Sequence, residues 1–260
     1  MQQIKTKSGQ LGQILDKMGL FLVLLVFIIV MSVLTPSFLT WNNLRNLLIQ
    51  STILCTLSLG VTFVIITGGI DLSVGSVEAV ASAIGMALIV KTGFPPFVGV
   101  LVMLAVGIAF GIINGSLVTQ FRIPPMIVTL ATMSIARGIV LVFTNSANIG
   151  PVPRAFTVLT SSYVIGIPLI VWVVVIFCII AWICLSKTAF GRSIYAVGGS
   201  ELAAKLAGIR TKRIIIMAYM ISGLCAAIAG LLLTIRLESA GPNAGDGVEM
   251  NAIAAVVVGG

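Results

Sequence analysis

Long stretches of uncharged apolar sequence are the feature that most restricts the fold of this chain. A helix that crosses a hydrocarbon core about 30 Å thick needs about 20 mostly apolar residues, because lipid offers no hydrogen-bond partner to exposed backbone. Such stretches lie near residues 18–35, 44–66, 76–91, 96–119, 124–143, 164–186 and 214–236, and another begins near 250. We therefore expect an all-α fold, a polytopic transmembrane helical bundle with about eight spans.

Composition excludes a water-soluble globular protein. Apolar residues make up 59% of the 260 residues and charged residues only 8%, whereas about a quarter of a soluble chain is charged. The chain has no histidine, and its four cysteines all lie inside apolar stretches, at Cys55, Cys178, Cys184 and Cys225. Neither a metal site nor a disulfide framework is expected from these residues.

The basic residues indicate the direction in which the chain crosses the membrane. The net charge of +8 is typical of a membrane protein that retains Lys and Arg on its cytoplasmic side, and no basic stripe with interleaved aromatics indicates nucleic-acid binding. A cytoplasmic N-terminus with an uncleaved first span places most basic residues inside, namely Lys5, Lys7, Lys17, Arg122 and the cluster within 187–213. Arg45, Lys91, Arg154 and Arg236 then lie outside.

A glycine-rich segment at 67–78 interrupts the apolar sequence. Unwound backbone at membrane depth persists only where protein or a water-filled cavity satisfies it. The segment fits an ordinary cytoplasmic turn with N-caps, a gate or hinge beside a substrate path, or a proton or cation site at Asp71 and Glu78. The candidate gate residues are Gly68, Gly69, Asp71, Ser73 and Gly75.

The segment 187–213 is the longest connection on the predicted cytoplasmic side. Ser200 has the character of an N-cap and Gly208 that of a helix end, so residues 201–207 are predicted to be helical. Leu202, Leu206 and Ile209 then form one apolar stripe. Such a helix either lies on the lipid interface or docks on a cytoplasmic partner, and its alanines and lack of bulky aromatics favour docking.

Polar side chains inside the spans form a third pattern. Asn43, Asn46 and Gln50 share one face of the second span, and Thr129, Thr132 and Arg137 lie within one arc of the fifth. Neutral hydroxyl and amide groups suit a neutral polyhydroxylated solute, although they also serve as hydrogen bonds between helices. Arg137, an arginine inside a span, must pair with a structural partner, extend to the membrane surface, or line the translocation path.

Two further features of the sequence are regularly spaced small residues and a short internal repeat. Gly107, Gly111 and Gly115 recur at a spacing of four, as do Gly223 and Ala227, which predicts close helix packing. Residues 75–81 resemble residues 246–252, and the predicted topology places the two copies on opposite sides of the membrane.

Four stretches together resemble the sugar-importing permeases of bacterial ABC transporters, the ribose-type group. They are FLTWNNLRN at 38–46, GGIDLSVGS at 68–76, TLATMSIARG at 129–138, and the segment 190–209. The last resembles the coupling loop of that family, which transmits movement between ATPase and permease. The resemblance covers essentially the whole chain, and it implies that the coupling residues are Gly191, Arg192, Glu201, Leu202, Ala203, Ala204, Leu206, Gly208 and Ile209.

The resemblance implies a single transmembrane permease domain over 1–260, shortened at its C-terminus relative to about ten spans in the full chain. It implies a bacterial inner-membrane permease dimer, in which homodimerisation is favoured, with a cytoplasmic ABC ATPase and a periplasmic or lipid-anchored sugar-binding protein. The cargo would be a monosaccharide such as a ribose-like pentose or a hexose, and residues 238–250 would face the binding protein. The chain has no phosphate loop of the G-x-x-x-x-G-K-[ST] type, so ATP and magnesium are expected on the ATPase and the chain is not expected to be an enzyme.

Three functions are alternatives to an ATP-driven sugar permease. A permease for branched-chain amino acids would need partners for a carboxylate and an ammonium group, and the spans offer few charges. An ion-coupled secondary transporter would use Asp71 and Glu78, but no second acidic residue lies in a neighbouring span to form a relay. The third alternative is a membrane scaffold that transports nothing.

Overall fold

The computed structural model describes residues 8–259 of the chain, and this range is helical apart from its connections and one short hairpin. Each apolar stretch predicted from sequence contains a helix, so the all-α expectation is confirmed. The helices are α1 Ser8–Leu34, α2 Trp41–Ile66, α3 Val74–Val90, α4 Pro96–Gln120, α5 Pro125–Thr144, α6 Arg154–Ser161, α7 Leu169–Lys187, α8 Ala189–Gly199, α9 Glu201–Leu206, α10 Thr211–Leu237 and α11 Val248–Gly259.

Among residues 8–259, five helices are long and apolar enough to cross a membrane, by length and composition: α2, α4, α5, α7 and α10. The shorter apolar helices are Phe21–Leu34, Val74–Val90 and Val248–Gly259. The helix within the predicted stretch 164–186 begins later than predicted, because β1 Tyr163–Val164 and β2 Ile167–Pro168 form an antiparallel hairpin there. Ile165 and Gly166 both have positive φ, as the tight turn of a two-residue hairpin requires.

The chain divides into two compact units, one up to Leu47 and one from Leu48 onward. In the first unit, a turn follows α1, and the side chain of Asn43 in the first turn of α2 donates to the carbonyl of Phe38 at 2.7 Å. The second unit contains the three apolar clusters and the candidate site.

Small residues place α4 directly against α10. A Cβ atom on Gly107 would collide with the Gly223 carbonyl, and one on Gly223 would collide with the Gly107 carbonyl. A Cβ atom on Gly111 would likewise collide with the Tyr219 carbonyl. The predicted close packing at the glycine repeat is therefore confirmed, because side chains at these positions would force the two backbones apart.

The short helix α3 forms the centre of the second unit. It packs against α4, α5 and α10, and most of its residues are buried. By contrast, α7 buries only Ile170 and Val174 and exposes large apolar side chains such as Ile176 and Trp182. A helix that is apolar on its exposed faces suits lipid as its solvent.

Candidate gate and coupling segment

The glycine-rich segment is an irregular connection between α2 and α3. Gly68 has φ +82°, which residues with a side chain rarely adopt. Gly69 lies against Tyr219, whose hydroxyl oxygen would be 2.7 Å from a Cβ atom at that position. The chain therefore turns at Gly68 and runs back along α10 before α3 begins.

Asp71 is held inside the bundle and is only 2% exposed. Its Oδ1 accepts hydrogen bonds from the Ser73 backbone N–H at 3.0 Å and from the Ser73 hydroxyl at 2.6 Å. Its Oδ2 accepts from the Ser222 hydroxyl at 2.7 Å, about three turns from the start of α10. The carboxylate thus fixes the connection to α10 and holds Ser73, the residue that precedes the first turn of α3.

The hydrogen bonds continue from Ser73 into two further helices. Asn114 on α4 donates through Nδ2 to the Ser73 hydroxyl at 2.9 Å. Thr132 on α5 donates to Asn114 Oδ1 at 2.6 Å. We name Asp71, Ser73, Asn114, Thr132 and Ser222 the polar network, and all five are buried. It joins the base of α3 to α4, α5 and α10.

Sequence reasoning identified Asp71, Ser73 and Thr132 but missed Asn114 and Ser222. Both missed residues sit in stretches of small residues, Asn114 beside Gly115 and Ser222 beside Gly223. A polar side chain beside a close-packing glycine in an apolar span was the signal that could have found them.

The other predicted path residues have separate surroundings. Thr129 is buried, and its hydroxyl donates to the Pro125 carbonyl at 3.0 Å and lies 3.2 Å from the carbonyl of Ile70 in the connection. On α2, Gln50 and Asn46 are exposed, and Gln50 Oε1 accepts from Arg236 at 3.5 Å. The threonines therefore face the connection, whereas the amide face of α2 remains exposed at Asn46 and Gln50.

Arg137 is bound to the loop between α10 and α11. Its Nη1 donates to the carbonyls of Pro242 at 2.6 Å and Ala244 at 3.0 Å, and its Nη2 lies 3.8 Å from Asp246 Oδ1. Of the roles considered from sequence, these contacts fit structural pairing, because two backbone carbonyls occupy the guanidinium.

We expect Arg137→Leu to loosen this loop. Hydrogen bonds to charged groups contribute about 1.5–3 kcal/mol each, so two such bonds correspond to a loss of about 3–6 kcal/mol in the stability of this region. Limited proteolysis of the full chain in detergent measures the loop directly, and cleavage between 238 and 247 should become faster. Arg154→Leu, which removes an exposed arginine, should leave the cleavage rate unchanged. Equal cleavage in the Arg137 variant would contradict the structural role.

The two similar segments, residues 75–81 and 246–252, lie in contact at their first residues. A Cβ atom on Gly75 would collide with the Gly245 carbonyl, and a Cβ atom on Gly245 would lie 2.9 Å from Glu78 Oε2. The connection carries the chain along α10 before α3 begins, so that Glu78 reaches Gly230, about five turns into α10. Within residues 8–259, neither oxygen of the buried Glu78 side chain has a hydrogen-bond partner.

The predicted coupling segment contains two helices. The predicted helix at 201–207 is confirmed as α9, with the Ser200 hydroxyl accepting from the Ala203 N–H at 3.2 Å as N-cap. Gly208 follows with φ +83°. The Glu201 carboxylate accepts from the Thr211 hydroxyl at 3.1 Å, which ties the start of α9 to the start of α10.

The two leucines in the apolar stripe of α9 are exposed. Leu202 is 71% exposed and Leu206 is 81% exposed, while Ile209 is half-buried. Ala204 is the buried residue of the helix, and Ala203 is exposed. The helix therefore packs on the chain through an alanine and leaves its two leucines available for a partner.

The helix α8, which sequence reasoning treated as loop, is fixed to the end of α2. Its Ile194 and Val197 are buried, and the Phe190 ring stacks on Phe63 of α2 with centroids 6.5 Å apart. A Cβ atom on Gly198 would collide with the Ile66 carbonyl. At the start of α8, Gly191 lies against the Leu185 carbonyl, and Arg192 is exposed. The coupling segment thus contacts α2 immediately before the glycine-rich connection.

Comparison with known proteins places the chain in a family. The family described as branched-chain amino acid transport system, permease component, matches residues 43–260. The ribose import permease protein of Bacillus subtilis (strain 168) is 42% identical over 263 residues, covering 100% of this chain and 81% of that protein. The D-allose transport system permease protein of Escherichia coli (strain K12) is 37% identical over 247 residues, covering 94% of this chain and 76% of that protein.

A third relative is the L-arabinose ABC transporter permease protein of Azospirillum brasilense, 32% identical over 252 residues, covering 97% of this chain and 74% of that protein. No solved structure matches the chain. The resemblance to sugar-import permeases inferred from four short stretches is confirmed by these relatives. With its match over residues 43–260, the chain belongs to the family of permease components of branched-chain amino acid transport systems.

Proposed function

We propose that the chain forms the path by which a monosaccharide enters the cell through an ATP-binding-cassette importer. Ribose, allose and arabinose name the transport systems of its relatives, and all three are neutral polyhydroxylated sugars. A permease of this kind is a non-catalytic, multi-pass component of the bacterial inner membrane. The observation that supports this proposal most is the arrangement of α8 and α9. The helix α9 exposes two leucines, and α8 packs on α2 beside the glycine-rich connection.

The assembly follows from the same proposal. Two copies of the permease pair with two cytoplasmic ATPase subunits, which hold ATP and magnesium, and an external sugar-binding protein delivers the solute. The N-terminus is cytoplasmic, and the apolar helices of this chain make eight spans. Residues 187–213 then face the ATPase, and the loop after α10 faces the binding protein, in agreement with the distribution of Lys and Arg.

The geometry supports alternating access as the mechanism. ATP binding moves the ATPase subunits, which move α9 and the attached α8. Because α8 packs on the last turns of α2, the movement reaches the irregular connection and its polar network, where helices can change their tilt without unwinding a regular span. Asp71 and Ser73 keep the base of α3 attached to α10 while the neighbouring helices tilt.

The exposed stripe of α9 gives a direct test of this function. We expect Leu206→Glu to abolish ATP-dependent uptake in vesicles while membrane insertion remains normal, because a charge replaces an apolar docking contact. Leu206→Met keeps the apolar volume and should transport normally. Sugar uptake and ATP hydrolysis are measured together, and normal uptake by the Leu206→Glu variant would contradict the docking role.

The description of the matching family favours one second candidate, a branched-chain amino acid. Such a solute brings a carboxylate and an ammonium group, which need charged partners along the path. Arg137 is bound to backbone carbonyls. Asp71 is the one carboxylate of the polar network, and the other members carry neutral hydroxyl or amide groups. Competition of labelled ribose uptake by unlabelled sugars and by leucine separates the candidates, and we expect inhibition by sugars only.

A further inference from the structure

A cavity of about 940 Å³ lies between the glycine-rich connection and the coupling segment. Thr67, Gly68 and Gly69 form one wall. The turn between α4 and α5 forms a second wall through Arg122 and Ile123, and the segment from α9 to the start of α10 forms a third. The cavity therefore touches both the candidate gate and the candidate coupling helix.

Positive charge dominates the lining. Five basic residues line the cavity, namely Arg122, Lys205, Arg210, Lys212 and Arg213. The acidic residue in the lining is Glu201, whose carboxylate already accepts a hydrogen bond from Thr211. Within residues 8–259, none of the five basic residues forms a salt bridge.

Three of these charges lie at a helix end whose dipole does not favour a cation. Arg210, Lys212 and Arg213 lie at the N-terminus of α10, where the helix dipole already provides positive potential. The general excess of basic residues on cytoplasmic loops explains their side of the membrane. It does not explain why they converge on one concavity that also has apolar walls at Val118 and Ile215.

The surroundings of the cavity restrict what could fill it. Leu202 belongs both to the exposed stripe of α9 and to the cavity lining, so a partner that covers the stripe also lies at the cavity mouth. A volume of this size accommodates several side chains rather than a single inorganic anion. The combination of cationic and apolar walls complements an acidic segment that also carries apolar side chains.

We propose that an acidic segment of the cytoplasmic ATPase enters this cavity and pairs with Arg122, Lys205 and Lys212 while the same subunit covers the leucines of α9. The inference rests on the importer function proposed above. The segment would contact Gly68 and Gly69 directly, so the ATPase would act on the connection through the cavity as well as through α8.

The first test uses the full-length permease, co-expressed with its cognate ATPase and purified through a tag on the permease. The double variant Arg122→Gln, Lys212→Gln removes two cavity charges, and the control Lys91→Gln, Arg154→Gln removes two charges from outside the cavity. We expect the cavity variant to bind the ATPase at least about tenfold more weakly than the control, and wild-type binding to weaken with salt. Equal binding by both variants would overturn the proposal.

The second test keeps all native charges in place. A photo-reactive p-benzoylphenylalanine replaces Ile123, which lines the cavity, and the irradiated complex is digested and analysed by mass spectrometry. An adduct with an Asp- or Glu-containing ATPase peptide supports the proposal. An adduct with lipid, or none with the ATPase in a complex that retains it, rejects the proposal but leaves the importer function intact. If no ATPase co-purifies with the wild-type permease, the importer function itself fails.

Discussion

Replacing Gly198 with valine should uncouple ATP hydrolysis from transport, with the loss of most sugar uptake. Any Cβ atom at this position collides with the Ile66 carbonyl, and a backbone atom cannot turn away as a side chain can. Strain from such overpacking is about 1–3 kcal/mol, which corresponds to roughly a 5- to 150-fold change in an equilibrium. Because α9 keeps its exposed leucines, the ATPase should still bind and hydrolyse ATP. The measurement is the ratio of sugar transported to ATP hydrolysed.

Gly199 provides the matched control for this experiment. It is the next residue of the same helix, and a Cβ atom there meets no atom within 4 Å. Gly199→Val changes composition and helix propensity in the same way without the collision, so its transport ratio should equal that of the wild type. Equal ratios for the two variants would show that contact between α8 and α2 does not transmit movement.

Replacing Asp71 with alanine should give the largest loss of stability in the polar network. The change leaves the Ser73 N–H group and the Ser73 and Ser222 hydroxyls without their acceptor in a buried site. Each unsatisfied buried group costs about 1–3 kcal/mol. Thermal unfolding of the detergent-solubilised full chain should show a large fall in Tm, and uptake should be lost.

Asp71→Asn separates the hydrogen bonds of this site from its charge. The amide oxygen can still accept from Ser73, and the Ser222 hydroxyl can turn to accept from the amide nitrogen. We therefore expect Asn to retain most of the thermal stability that Ala loses. An Asn variant as unstable as the Ala variant would show that the hydrogen bonds accepted by the Asp71 side chain are not what fixes the connection.

The helices were predictable because their signals are local. A stretch of about 20 apolar residues suffices to predict a span, and the cap at Ser200 and the end at Gly208 defined α9 within one residue. The close approach of some helix to α4 followed from the spacing of Gly107, Gly111 and Gly115, although that spacing did not identify α10 as the partner. These features depend on residues close together in sequence.

The features missed from sequence depend on residues far apart. The helix α8 contains Gly191, Gly198 and Gly199, which lower helix propensity, and packing on α2 overrides that preference. Asn114 and Ser222 join the polar network through partners 41 and 151 positions away. The contact of Gly75 with Gly245 depends on the return of the chain along α10, which no local spacing indicates.

Uptake of labelled ribose into vesicles tests the central claim most directly. The full-length permease is reconstituted with and without its cognate ATPase, with ATP and the external binding protein supplied where each acts. We predict accumulation of sugar only when the ATPase and ATP are both present, and no accumulation when an ion gradient replaces them. Accumulation by the permease alone, driven by an ion gradient, would contradict the account.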